Sequence, residues 1–404
     1  MNRPRPLRRA VLAAGALLAL GVAPAVPAAA EAAPVPSADP FYRPPSPLPA
    51  GRPGDVIRSR PAAFPVSSAV TSTQVLYQSE NATGRTIAVS GTVLVPKAPW
   101  TGKGARPLVS YAVGTRGLGD ACAPSYTLAQ GLDYEELFIN DLLNKGWAVA
   151  VTDMEGLGTP GGHTYVVGQS EGRAVLDMAR AAERLPGTGL TAATPVGVFG
   201  YSQGGGSAGW AAQLAATYAP DLDLKGVAAG GIPGKMLSLR SLEGGPFTGL
   251  LLMAALGYDS AYPELNLDSY LNDNGRKIKA RYSDLCLLSF DLAPVAVDTA
   301  FRHIGDFTTR NPVDDPAWVA RFNANDLGGI KPGVPVFQYH ALLDEVVLFD
   351  QADAVHKDWC KNGADLTWKT YPFAEHLLGF LWGWPDSVAF LNDRFQGRPA
   401  TGNC

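Results

Sequence analysis

The sequence predicts an α/β protein: a mostly parallel sheet with helices on both faces and a helical cap inserted over the strand ends. Three observations carry this. Short apolar, β-branched runs alternate with helix-spaced segments from Pro107 to Ile232, the rhythm of parallel strands joined by crossover helices. After Ile232 the rhythm stops; Gly234 to about Gly329 is helical in pattern, and a strand resumes at Val334–Ala341. Gly200-Tyr201-Ser202-Gln203-Gly204 spells G-x-S-x-G between a strand run, Pro195–Phe199, and a small, Ala-rich helix run. That strand–turn–helix context lifts a serine hydroxyl clear of a sheet, whereas the bare pattern in a Gly-rich chain is no more than a tight turn.

Along the chain, residues 1–30 read as an export signal. The first nine residues hold four arginines and no acid; Ala10–Ala23 is apolar but short for a membrane span, and Ala28-Ala29-Ala30 precedes Glu31 as a cleavage site. No stop-transfer pattern follows, so a transmembrane anchor is not expected. Arg8-Arg9 leaves a twin-arginine route open beside the general one. Residues 31–65 form a Pro-rich N-terminal arm, expected to be irregular and extended from Ser37 to Pro65.

Residues 66–233 are the first part of the sheet core. Ser67–Tyr77 and Thr86–Pro96 alternate around Asn81-Ala82-Thr83-Gly84 and predict an antiparallel hairpin. Asn81-Ala82-Thr83 also matches a glycosylation sequon, with a plain turn as the simpler reading. Strands follow at Pro107–Thr115, Trp147–Asp153, Val196–Phe199 and Gly226–Ile232, with helices over Tyr134–Asn144, Gln169–Leu185 and the segment after Ser202. Residues 234–329 form the cap, with an apolar stretch at Leu250–Leu256; both ends return to one sheet, which argues against a separate binding domain. Residues 330–404 complete the core with a strand at Val334–Ala341, a helix at Gln351–Cys360, a strand at Leu366–Tyr371 and a helix at Leu377–Trp384.

Composition sets limits. The 404 residues are 46% hydrophobic and 17% charged, enough for a large core. Removing the first 30 residues takes away four arginines and no acid, so the net charge falls from −4 to −8. That argues against nucleic acid or an anionic membrane as an electrostatic partner. Nothing in the sequence resembles a metal cluster. Four cysteines in an exported chain imply two disulfides with three possible pairings. Cys404 ends the chain, where a bridge would pin a fraying tail; its nearest neighbour, Cys360, favours Cys360–Cys404 and leaves Cys122–Cys286.

A serine needs a base to activate it and a third group to orient that base. On this type of turn the chain order is serine, then acid, then histidine. Three histidines follow the cap. His340 lies within a strand and is expected to pack in the sheet, while His356 sits mid-helix and is expected at the surface. His376 follows the last strand on the loop Pro372–His376, where a base can reach the serine; its bland alternative is a helix cap. Asp344 and Glu345 follow the penultimate strand. Asp344 is preferred as the orienting acid for its shorter arm, while Asp350 and Asp353 fall in the next helix. For the oxyanion hole, the backbone N–H of Gln203 follows the nucleophile, and the loop Gly114-Thr115-Arg116-Gly117 offers a second donor, taken as Thr115. The bland reading of Arg116 is a salt bridge facing the cap.

With these residues placed, the chain resembles the secretory lipase family, the lipase-A-like α/β-hydrolases of yeasts and actinobacteria. The resemblance is carried by Asp120-Ala121-Cys122-Ala123-Pro124-Ser125, Asp153-Met154-Glu155-Gly156-Leu157-Gly158, Gly200-Tyr201-Ser202-Gln203-Gly204-Gly205, Asp344-Glu345-Val346-Val347 and Glu375-His376. It runs from about Ser37 to the C-terminus. It implies an α/β-hydrolase fold with a helical cap and lid, triacylglycerol lipase or carboxylesterase activity on a lipid or ester substrate, no cofactor, and the disulfide pairing favoured above; separately, a monomer is expected. One departure stands out: yeast relatives carry an acidic residue in the oxyanion loop where this chain has Thr115-Arg116. Carboxylesterase, polyester-cleaving and acyltransferase readings share the same three residues. A non-catalytic binding protein on this fold is the rival of another class, disfavoured because all three residues are present.

Overall fold

The computed structural model describes residues 34–287 and 292–404; residues 1–30, the expected export signal, lie outside them. Nine strands pair into one sheet in the order β1-β2-β3-β5-β4-β6-β7-β8-β9. They are β1 (Val56–Ala62), β2 (Val70–Glu80), β3 (Thr86–Pro96), β4 (Leu108–Ala112), β5 (Ala148–Thr152), β6 (Val196–Tyr201), β7 (Leu224–Gly230), β8 (Val336–Ala341) and β9 (Leu366–Tyr371). The pairings from β1 through β3 to β5 are antiparallel, and those from β5 to β9 are parallel. Every residue of β4, β5 and β6 is buried. Small and β-branched side chains suit strands covered on both faces, where bulk on either side must fit under a helix.

The helices are α1 (Pro124–Gln130), α2 (Glu136–Asn144), α3 (Gly168–Arg184), α4 (Gln203–Tyr218), α5 (Thr248–Ala261), α6 (Asp273–Tyr282), α7 (Leu292–Thr299), α8 (Pro316–Ala324), α9 (Phe349–Lys361) and α10 (His376–Phe395). Strand alternation sorts the core. Val196 and Val198 of β6 pack with Val175 of α3, Ala211 of α4 and Trp359 of α9 on one face. Phe199 and Tyr201 pack with Leu128 of α1, Ile139 of α2 and Phe380 and Trp384 of α10 on the other.

Between β7 and β8 the chain leaves the sheet and makes α5 to α8 with intervening 3-10 turns. This segment has its own apolar core, including Leu251, Tyr258, Trp318 and Phe322. It is stitched to the loop after β4. The Leu118 N–H donates to the Leu285 carbonyl at 3.0 Å, the Leu287 N–H donates to the Arg116 carbonyl at 2.7 Å, and Cys122 is bridged to Cys286. The second disulfide joins Cys360 to Cys404.

Two expectations need correction. The N-terminal arm is not irregular throughout: Val56–Ala62 is an edge strand on β2. Its Pro61 is tolerated because an edge strand needs only one row of ladder hydrogen bonds. The last helix does not stop at Trp384 but runs through Pro385 to Phe395. Pro385 is exposed, so the carbonyl of Leu381, deprived of its i+4 donor, falls on the exposed side of the helix. Asn81 serves as the plain turn: its Oδ1 accepts from the Thr83 and Arg85 N–H groups at 3.0 and 2.9 Å.

Candidate active site

Ser202 sits at the tip of a turn between β6 and α4 with φ 58° and ψ −124°. A non-glycine residue in that region costs about 1–3 kcal/mol and persists only where its surroundings hold it. The surroundings here are backbone. A Cβ on Gly200 would lie 2.0 Å from the Gly204 carbonyl oxygen, and one on Gly204 would lie 2.0 Å from the Ala112 carbonyl oxygen. The turn is that tight because α4 packs directly on the ends of β4 and β6.

His376 is the first residue of α10 and is held from several sides. Glu375 caps the helix, accepting from the Leu377 and Leu378 N–H groups at 2.7 and 2.9 Å. The Tyr201 hydroxyl donates to the His376 carbonyl at 2.6 Å, and the His376 N–H donates to Glu345 Oε2 at 3.2 Å. Its ring bridges the other two residues. Nδ1 lies 2.7 Å from Asp344 Oδ2 and 2.9 Å from Oδ1, and Nε2 lies 3.0 Å from Ser202 Oγ. A carboxylate can only accept, so Nδ1 carries the hydrogen and Nε2 is free to accept the serine proton.

Asp344 is buried with its side chain fully covered. Oδ1 also accepts from the Val346 and Val347 N–H groups at 3.0 and 2.7 Å. Glu345, by contrast, is exposed and touches His376 only through the backbone. The shorter acid therefore faces the imidazole. His340 is in the sheet but is more than filler. Its Nε2–H donates to the Val347 carbonyl at 2.7 Å and lies 3.4 Å from Asp344 Oδ2. Burial holds its pKa below the usual value against the pull of Asp344. Sequence reasoning missed this link; its one trace is the i, i+4 spacing to Asp344. His356 is half-buried and stacks on Trp368 at 4.6 Å.

Gln203 opens α4, so its N–H has no partner inside the helix. Thr115 stands across from it on the loop after β4: its carbonyl accepts from the Tyr134 hydroxyl at 2.9 Å and its Oγ1 lies 3.0 Å from the Tyr165 hydroxyl. Arg116 does not turn to the cap. It is buried, pairing with Asp133 at 2.8 Å and Glu135 at 3.0 Å just ahead of α2, with its guanidinium 3.9 Å over the Tyr134 ring. Those two carboxylates outweigh the cost of burying the cation, and its pKa lies well above the usual value.

Ser202, His376, Thr115 and Gln203 open into one cavity of about 670 Å³, roofed by cap residues such as Leu242, Phe247, Leu250 and Met253. That size and apolar lining suit a small-molecule ligand with a long apolar part. Among the described residues no three His, Cys, Asp or Glu side chains gather as metal ligands.

The secretory lipase family model matches residues 123–403. The chain belongs to the secretory lipase family. Relatives include a probable inactive lipase of Mycobacterium tuberculosis, 33% identical over 385 residues, covering 91% of this chain and 84% of that one. A secreted triacylglycerol lipase of Malassezia furfur is 30% identical over 390 residues, covering 91% and 77%. In three dimensions the chain matches lipase A of Candida antarctica in its closed state, with a TM-score of 0.81 and 28% identity over 92% of this chain and 89% of that one. The sheet and its helices are those of an α/β-hydrolase.

Proposed function

We propose that this chain is a secreted, serine-dependent carboxylic ester hydrolase, a triacylglycerol lipase working through an acyl-Ser202 intermediate. The observation that carries the reading is the unbroken line Ser202 Oγ–His376 Nε2, His376 Nδ1–Asp344 at 3.0 and 2.7 Å, opening into an apolar cavity. Ser202 Oγ attacks the ester carbonyl as His376 takes its proton, and Asp344 stabilises the imidazolium. The N–H groups of Gln203 and Thr115 receive the developing oxyanion. Collapse expels the alcohol, protonated by His376. Water activated by the same histidine then releases the acid from Ser202.

Lipid is favoured over small esters by the rim as well as by the cavity. Leu377 lines the cavity yet is 63% exposed. Leu381, one turn further along α10, also lines the cavity and is 41% exposed. Apolar side chains gathered around an opening suit an uncharged lipid–water interface. Secretion is supported by the disulfides, which need an oxidising compartment, and by secreted relatives.

One relative is a probable inactive lipase, so turnover itself is the test. Hydrolysis of p-nitrophenyl esters from two to sixteen carbons, with fluorophosphonate labelling mapped by peptide sequencing, is expected to give turnover that persists at long chains and a label on Ser202. Turnover confined to the shortest esters would make the chain a carboxylesterase. No turnover and no label would make it a binding protein on a hydrolase fold.

A further inference from the structure

Beside the serine turn lies a buried carboxyl group that the mechanism above does not use. Glu171, in the first turn of α3, is 1% exposed. Among the described residues no lysine or arginine pairs with it. Three donors from separate places meet it instead. Oε1 accepts from the Val166 N–H at 2.9 Å and from Gln203 Nε2 at 2.8 Å, and Oε2 accepts from Ser207 Oγ at 2.7 Å. Burial pushes its pKa up to about 7 despite these bonds. A carboxyl buried without a cation is costly, and a leucine would fill the space without that cost.

The partners tie it to both sides of the oxyanion hole. The Gln203 carboxamide uses both of its hydrogens, one on Glu171 and one on His163 Nε2 at 3.0 Å. His163 Nδ1–H donates to the Glu155 carbonyl at 2.8 Å, which leaves Nε2 as the acceptor, and burial pushes its pKa down to about 4. The amide can therefore sit only one way round. A side chain pinned at its tip resists rotation of the Ser202–Gln203 peptide, whose N–H must aim at the oxyanion. On the other side, Val166 has φ 53°, an outlier for a β-branched residue. Its N–H is held by Glu171, and the adjoining Tyr165 places its hydroxyl 3.0 Å from Thr115 Oγ1.

We propose that Glu171 is a positioning residue for acyl transfer, holding Gln203 and, through Val166 and Tyr165, Thr115, so that both oxyanion donors stay in register. The inference rests on the serine-hydrolase reading above. It depends on the hydrogen-bond pattern, not on the charge. Ser207 Oγ has a second acceptor, the Gln203 carbonyl at 2.9 Å. A glutamine at 171 can keep its oxygen on Val166 and Gln203 and donate its amide to Ser207, whose hydrogen turns to that carbonyl.

The test compares wild type, Glu171→Gln and Glu171→Leu for kcat and KM on a soluble short-chain ester, for the fluorophosphonate labelling rate of Ser202, and for Tm. Glu171→Leu is expected to lower kcat and the labelling rate by about 10- to 100-fold with KM changed less than about twofold, since a displaced oxyanion donor acts on the transition state. Glu171→Gln should stay within about threefold of wild type. Gln203→Met, which removes the side-chain donors but keeps the backbone N–H, should lower kcat by about tenfold, and it serves as the test if Glu171→Leu does not fold. A folded Glu171→Leu with wild-type kcat, whatever its Tm, overturns the proposal, as does Glu171→Gln falling as far as Glu171→Leu. Where Glu171→Leu fails to fold, wild-type kcat in Gln203→Met does the same. Wild type that is not labelled at Ser202 overturns the underlying reading and this inference with it; labelled wild type beside a fully active Glu171→Leu overturns the inference alone.

Discussion

The floor and the roof of the cavity are held by different forces. On the floor, the groups around Ser202 are fixed by directional bonds between buried polar atoms: Asp344 accepts from two backbone N–H groups and an imidazole, and Glu171 accepts from three donors. The roof is apolar. Leu251, Tyr258, Trp318 and Phe322 belong to one buried apolar cluster, in which the Tyr258 hydroxyl has no hydrogen-bond partner among the described residues, and beside them lies a small apolar pocket of about 50 Å³. Hydrogen bonds weaken steeply with angle and distance, whereas apolar burial is non-directional. The floor therefore suits chemistry that fails if an atom moves by an ångström. The roof suits ligands whose apolar parts differ in length.

That contrast is most exposed to test at the floor. Ser202→Ala and His376→Ala are each expected to lower kcat by on the order of 10⁴-fold or more, with little further loss in the double variant, because the two act as one unit. Stopped assays on a short-chain ester measure this. Additive losses would mean that the two residues serve separate steps.

The acid separates position from proximity. Asp344→Asn is expected to fold and to lower kcat by roughly 10³- to 10⁴-fold, since an amide can hold the imidazole in the wrong tautomer. Glu345→Gln should cost far less, because the Glu345 carboxylate meets only the His376 backbone N–H and is exposed. A larger loss in Glu345→Gln would reverse the assignment of the two carboxylates.

The same division explains what the sequence made legible. Chain order and strand–turn–helix context were enough to single out Ser202, Asp344 and His376, which stand within hydrogen-bonding reach in the folded chain, because that arrangement needs fixed residue types at fixed places on a sheet. Leu366–Tyr371 was readable as a strand for a similar reason, being a short run bounded by turn signals. Partners chosen by three-dimensional proximity were not readable. Arg116 looks like any loop arginine until Asp133 and Glu135 are folded against it. Glu171 looks like an ordinary acid in the first turn of an amphipathic helix until α4 covers it. The edge strand β1 was hidden by Pro61 and by its alternating arginines, which signal a solvated segment.

The seam between floor and roof is the Cys122–Cys286 bridge, which closes a separation of 164 residues. Chain-entropy estimates give such a cross-link about 5 kcal/mol, less any native strain. Cys122→Ser/Cys286→Ser is expected to lower Tm by several degrees. It should also reduce turnover of long-chain esters more than short, because only the long chains would rest against a roof that the bridge holds to the loop after β4. Equal loss at every chain length would mean that the bridge serves stability alone.

The smallest effect is expected from altering the roof without touching its anchor. Leu250 is half-buried and lines the cavity, so Leu250→Trp adds bulk where the distal part of an acyl chain would lie. A short ester occupies only the space beside Ser202, Gln203 and Thr115 and should keep its kcat/KM within about twofold. A long ester needs the volume that the indole takes and should lose a few fold, since one or two displaced methylenes are worth about 1–3 kcal/mol in an apolar pocket. The expected loss lies at the low end because an apolar roof can shift to admit the ring. Kinetics across the same ester series read the difference directly. If short and long esters fall together, the substitution has reached the floor, and the two halves of the cavity are coupled more tightly than their packing implies.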